Sequence, residues 1–120
     1  MKQMTAVQIK RVYEPPSPRD GVRVLVDRLW PRGLSKSDAD VDHWMREIAP
    51  STNLRRWFGH DPDRWREFRR RYSAELKEKA ELVDELRGLM RKQRLTLVYS
   101  ARDERHNQAV ILREVLLRGQ

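Results

Sequence analysis

Asp27, Arg28 and Arg32 stand close together directly after the apolar run Val24, Leu25, Val26, and Trp30 and Pro31 stiffen the stretch that carries them. Two guanidinium groups on a rigid loop can grip a phosphate or carboxylate through paired N–H bonds, and a neighbouring carboxylate can orient one of them or take a proton. The same trio also suits an internal ion pair that pins the loop. Two arginines to one carboxylate leave a cation over, which favours anion binding. A second group, Ser100, Arg102, Asp103, His106 and Asn107, lies between the apolar run Leu95 to Tyr99 and an apolar C-terminal segment. Backbone amides at the start of a helix attract anions, and His106 can shuttle protons near neutral pH. Asp103 is equally suited to cap the helix that follows. Asp27, Asp103 and His106 are therefore the candidate acid or base groups. Arg28, Arg32, Ser100, Arg102 and Asn107 are the candidate ligand contacts.

Other constellations have simpler explanations. His60, Asp61 and Asp63 look superficially like metal ligands, but Asp61 can cap a helix, Pro62 suits its first position and Asp63 favours the positive end of its dipole. With three His and no Cys in the whole chain, disulfides, thiolate catalysis and Cys-ligated zinc are excluded and a His-only zinc site is poorly supplied. No metal or cofactor is expected. Arg55, Arg56, Arg64, Arg66, Arg69, Arg70 and Arg71 set seven positive charges against Asp61, Asp63 and Glu67. Four-residue spacing pairs Glu67 with Arg71 and Arg71 with Glu75, which describes a solvated helix face. The excess remains, so a nucleic-acid surface using Arg66 and Arg70 is the alternative to the small-molecule cleft, although no zinc-finger or RRM signature accompanies it. Trp57, Phe58, Trp65, Phe68 and Tyr72 fit core positions at helical spacing, with a base-stacking platform as the competing role.

The elements that must position these residues follow from composition and periodicity. The chain has 120 residues, 38% of them apolar, enough for one core, so residues 1–120 are expected to form a single domain. Its 26 Lys plus Arg exceed 18 Asp plus Glu by 8, which favours acidic partners: an anionic small molecule first, nucleic acid second. Apolar runs no longer than Ala109 to Leu112 fall far short of the ~20 residues that span a bilayer, and no secretory signal follows Met1, so a cytoplasmic protein with no membrane partner is expected. Val7 to Val12 reads as an edge strand and residues 14–21, rich in proline, as an exposed loop. Val22 to Val26 and Leu95 to Tyr99 read as buried strands. Residues 35–40 suit a helical turn capped by Ser35 or Ser37, and Val41, Trp44, Met45 and Ile48 recur at helical spacing. From Asp61 onward, Trp65, Phe68, Tyr72, Leu76, Ala80, Val83, Leu86 and Met90 trace one apolar stripe. A single helix of ~30 residues would reach about 45 Å, too long for a domain whose radius of gyration should be about 14 Å. A break between Lys77 and Ala80 is expected. Asn107 to Arg118 forms the last helix. Strands alternating with helices mean an α/β fold, a small, mostly parallel sheet covered by helices. Ligands in such sheets sit beyond the carboxyl ends of the strands, where both Asp27 to Gly33 and Ser100 to Asn107 fall.

The blocks Arg23 to Gly33 (RVLVDRLWPRG) with Lys36, then Asp42, Trp44 and Ala49 to Ser51, Leu54 to Pro62 (LRRWFGHDP), Phe68 to Leu76 (FRRRYSAEL) and Thr96 to Asn107 (TLVYSARDERHN) span nearly the whole chain in order. In these blocks the sequence resembles the bacterial family of domain of unknown function 488, in its shorter, YeaO-like branch. The resemblance implies a strand in place of the helix at Val41 to Ile48, giving four strands. Wider-family members often carry Cys and His in the stretch matching Ser100 to Asn107. This chain has Ser100, His106 and Asn107 there, so a thiol mechanism does not transfer to it. The resemblance implies a fold and not a reaction.

Overall fold

β-Branched and leucine residues build β2 (Val22–Leu25) and β4 (Leu95–Tyr99), the two central strands of a four-stranded, wholly parallel sheet ordered β1-β4-β2-β3. This is a computed structural model, and it describes residues 7–118. Val24 lies opposite Leu97 and Leu25 opposite Val98. β1 (Val7–Arg11) pairs along β4 from Val7–Leu95 to Arg11–Tyr99 and forms one edge, as expected.

The other edge is β3, only His43–Trp44, followed by a 3-10 turn over Arg46–Ile48. The helical spacing of Val41 to Ile48 is thus overruled, and the strand implied by the resemblance forms over two residues. The cause is the sheet itself. The Asp42 amide donates to the Arg23 carbonyl at 2.8 Å and the Met45 amide to the Leu25 carbonyl at 2.9 Å, so donors a helix would need are spent on β2. The Asp42 carboxylate also takes the Arg23 amide at 2.8 Å.

One sheet face, carrying Val22, Val24, Leu95, Leu97 and Tyr99, is covered by α2 (Thr52–Phe58), α3 (Trp65–Lys77), α4 (Ala80–Lys92) and α5 (Gln108–Leu117). Phe68, Tyr72 and Leu76 of α3 and Val83, Leu86 and Met90 of α4 are buried, so the long apolar stripe is a core stripe. The break falls at Glu78 and Lys79, as chain dimensions require: the Cα radius of gyration is 13.8 Å. Asp61 caps a 3-10 turn over Pro62–Arg64, and α3 begins only at Trp65, slightly later than the cap and proline suggest.

The opposite face is covered thinly, by α1 (Lys36–Ala39, capped by Ser35) and by the segment expected to be an exposed loop. That expectation is corrected at Pro18–Asp20, a 3-10 turn that puts the Asp20 carboxylate, 2% exposed, against the sheet. It accepts from the Ser17 amide at 3.0 Å, Lys10 Nζ at 3.1 Å and Arg23 Nη1 at 2.7 Å. Burial opposes ionisation of Asp20, but the Ser17 amide, Lys10 and Arg23 outweigh it and hold its pKa below the ordinary carboxylate value. Among the described residues no helix is long and apolar enough to cross a membrane.

Candidate functional site

β2 and β4 are neighbours, yet the chain leaving β2 turns towards β3 while α5, which follows β4, packs back on β1 and β4. Diverging connections open a crevice beyond the carboxyl ends of the two strands. Here the crevice is a cavity of about 390 Å³, lined by residues of both post-strand loops, by the α2 end and by the start of α5.

Asp27 forms its floor. The side chain is buried, and both carboxylate oxygens are held: Oδ2 accepts from the Ser100 amide at 3.0 Å and from Ser100 Oγ at 2.5 Å, and Oδ1 accepts from Gln108 Nε2 at 2.7 Å. Burial raises the Asp27 pKa, and the Ser100 and Gln108 bonds and the nearby charge of His60 offset only part of the rise. A carboxyl held in this state exchanges a proton closer to neutrality than an exposed one does.

The loop from Ser100 to Asn107 is organised from within. Asp103 accepts from the amides of Arg105 and His106 at 2.9 and 3.0 Å, and its other oxygen meets His106 Nδ1 at 2.8 Å. The His106 bond, with those amides, lowers the Asp103 pKa. Asp103 is therefore not the cap of α5. Asn107 is, because it immediately precedes the helix: its Oδ1 takes the amides of Ala109 at 2.9 Å and Val110 at 3.3 Å, and its Nδ2 donates to the Asp103 carbonyl. Amide donors that might have met an anion are thus already occupied. His106 lines the cleft, its ring edge-on to Trp65 at 5.2 Å, whereas Arg102 is exposed and outside it.

The two arginines of the other loop have separate fates. Arg28 donates Nε to the Pro50 carbonyl at 3.1 Å and Nη2 to the Ala49 carbonyl at 3.2 Å, and Nη1 lies 3.8 Å from Glu47. Lys79 Nζ reaches the same Ala49 carbonyl at 2.8 Å and the Tyr72 hydroxyl donates to the Ile48 carbonyl at 2.7 Å, so the turn that follows β3 is pinned by three side chains. Arg32 keeps its guanidinium exposed, while its carbonyl accepts from the Tyr13 hydroxyl at 2.8 Å. Arg55 of α2 supplies a further exposed guanidinium to the cleft. Neither Arg32 nor Arg55 has a side-chain hydrogen bond or ion pair among the described residues.

Arg55, read from sequence as part of the basic run, His60, read as lying beside a helix cap, and Gln108, which carries no sequence signal, also line the cleft. Arg55 and His60 sit in the matched LRRWFGHDP block, which was the available clue. His60 follows Gly59 with both backbones left-handed, at φ 58° and 53°, a turn that brings its ring back to 6.4 Å from Phe58. Arg66 and Arg70 lie on the exposed face of α3 and do not line the cleft. Glu67 accepts from both Arg70 and Arg71, which together draw its pKa down to about 2. The expected Arg71–Glu75 pair does not form, because Glu75 instead takes the Ser51 amide at 2.8 Å and its hydroxyl at 2.6 Å.

Comparison with known proteins bears out the family resemblance. The uncharacterized protein YeaO of Escherichia coli (strain K12) is 44% identical over 110 residues, 92% of this chain and 96% of that protein. The uncharacterized protein Rv3073c of Mycobacterium tuberculosis (strain ATCC 25618 / H37Rv) is 43% identical over 116 residues, 97% of this chain and 98% of its own length. No solved structure matches the chain. A family model described as the inactive DUF488-N3 subclade matches residues 6–119. Because that match takes in both strand-end loops, the cleft between them and every helix around it, the chain belongs to the DUF488 family, in this inactive N3 subclade.

Proposed function

We propose that the cleft beyond β2 and β4 binds a small anionic molecule carrying a phosphate or carboxylate. The observation that carries this reading is the pair of unpartnered guanidinium groups, Arg32 and Arg55, on the walls of a cavity whose carboxylate, Asp27, is already bound by Ser100 and Gln108. Two free cations against one carboxylate, whose oxygens already hold Ser100 and Gln108, leave the cavity net positive, and guanidinium forks match planar oxyanions. Its volume, about 390 Å³, lies within the range of about 300–1,000 Å³ usual for small-molecule sites. Arg28 contributes by holding the wall in place. Asp27 and the Asp103-oriented His106 are the groups able to move a proton on a bound ligand. The description of the subclade as inactive favours binding over turnover.

The test is a thermal-shift screen of nucleotides, sugar phosphates and small carboxylates. A ligand at 100 times its Kd should stabilise the fold by about 2.7 kcal/mol. Arg32→Ala and Arg55→Ala should keep the unliganded melting temperature and lose the shift. If none of these anions stabilises the protein, or if both variants respond like the parent, the reading is wrong.

A further inference from the structure

Positive charge does not stop at the cleft. Arg55, which lines it, adjoins Arg56 on α2, and α3 carries Arg66, Arg70 and Arg71 on its exposed side. Three acidic groups account for part of this charge: Asp61 lies 3.7 Å from Arg64, Glu114 pairs with Arg69, and Glu67 serves both Arg70 and Arg71. Arg55, Arg56 and Arg66 are left with no side-chain partner among the described residues. Aromatic rings are interleaved with these cations. The Arg71 and Arg64 guanidiniums lie over the Trp57 ring at 4.4 and 5.2 Å, and Arg69 lies over Trp65 at 5.3 Å, whose ring in turn meets His106 of the cleft.

We infer that this α2–α3 face and the cleft form one continuous surface for a single-stranded nucleic acid, with a terminal phosphate of the strand in the cleft. The inference rests on the anion-binding reading of the cleft and names the class of molecule that would carry the anion. Three features favour nucleic acid over an acidic protein segment. Every cation of the face is arginine, whose flat fork suits phosphate oxygens and stacks on bases. The half-buried indoles of Trp57 and Trp65 carry guanidiniums over their rings, and such arginine–aromatic pairs give unpaired bases stacking and cation–π contacts. The cavity, about 390 Å³, matches one nucleotide-sized group and is far too small for a duplex, which favours an unpaired strand.

The experiment compares three probes by fluorescence anisotropy and competition: thymidine monophosphate, a thymidine oligonucleotide of about ten residues with a 5′-phosphate, and the same oligonucleotide without it. A polyglutamate of matched charge is the control. Arg56→Glu/Arg66→Glu, at exposed positions without partners, should weaken the phosphorylated oligonucleotide at least tenfold and flatten its log–log salt dependence by about 1.4, at ~0.7 per lost phosphate contact. It should leave thymidine monophosphate unchanged. Arg32→Ala should weaken both phosphorylated probes. If the monophosphate binds through Arg32 but the oligonucleotide binds no tighter, the extended surface is refuted and the cleft reading stands. If the oligonucleotides bind alike with and without the 5′-phosphate, the strand end is not in the cleft and the inference fails. It fails also if polyglutamate competes as well as the oligonucleotide. If no probe binds at low salt, the inference fails, and the anion reading of the cleft is decided separately by the thermal-shift screen.

Discussion

Phe68→Ala discriminates between a core and a stacking platform for the aromatic stripe of α3. The ring is 2% exposed. It stacks on Phe58 with centroids 4.1 Å apart and planes 14° from parallel, and on Tyr72 at 5.9 Å and 16°. Trp65 closes a third side at 5.8 Å. Truncating a buried phenylalanine to alanine costs about 3–5 kcal/mol, and how far the site can relax sets the place within that range. Phe68 also borders the cleft, so the hole would open onto a space water can enter instead of forming a sealed void. About 3 kcal/mol is therefore the expected loss, a large share of the roughly 5–15 kcal/mol that holds a domain together. Urea unfolding followed by the fluorescence of the four tryptophans measures it directly. With a slope of about 1.5 kcal/mol per molar, the midpoint should fall by about 2 M. A loss under about 1 kcal/mol, with ligand binding weakened instead, would show that Phe68 is a surface platform and would refute the core assignment.

Two further outcomes are expected. Gly21 has φ +67°, and a Cβ there would stand 2.1 Å from the Arg94 carbonyl oxygen, which accepts the Val22 amide at the start of the β2–β4 ladder. Gly21→Ala should cost about 2–4 kcal/mol, from backbone strain of about 1–3 and a compromised hydrogen bond of about 1. Gly33→Ala, at φ +74° with open space around it, should cost only about 1–2 kcal/mol, the left-handed backbone alone. Equal midpoints in urea for the two variants would contradict this. Asp27 has a folded pKa raised above 3.8 by burial, so the fold favours its protonated form. Its contribution to stability is full below 3.8 and is lost as pH rises through the raised folded value. The stability of the parent relative to Asp27→Asn should therefore decline with pH across that window and level off above it. A difference that is flat, or rises with pH, would show that Asp27 is not held as described.

What was legible in the sequence divides by range. Ser35 capping α1, the break between Lys77 and Ala80, the edge position of β1 and the buried stripe of α3 are decided by neighbours along the chain or by overall dimensions, and local pattern is enough to read them. Where a distant strand supplies the competing partner, local pattern misleads. The stretch from Val41 to Ile48 has helical spacing, but its amides go to β2. Pro18–Asp20 has loop composition, but Lys10 and Arg23, brought to the same sheet face by β1 and β2, draw Asp20 inward.

The cleft shows the same division at the level of single side chains. Asp27, Ser100 and His106 reach it because strand ends put them there, a rule of topology that holds for any parallel sheet. Which arginine is free to meet a ligand is a different kind of question. It depends on whether some carbonyl elsewhere lacks a donor. Arg28 stands beside Asp27 in sequence, but the turn at Ala49 and Pro50 presents two carbonyls to its guanidinium. Arg55 lies 27 residues further along, and α2 places it on the cleft wall with no side-chain partner among the described residues. The free cations on the cleft wall, Arg32 and Arg55, are thus the ones to which the fold gives no side-chain partner among the described residues. Which arginines these are depends on every nearby donor and acceptor, and one of the two lies outside the motif.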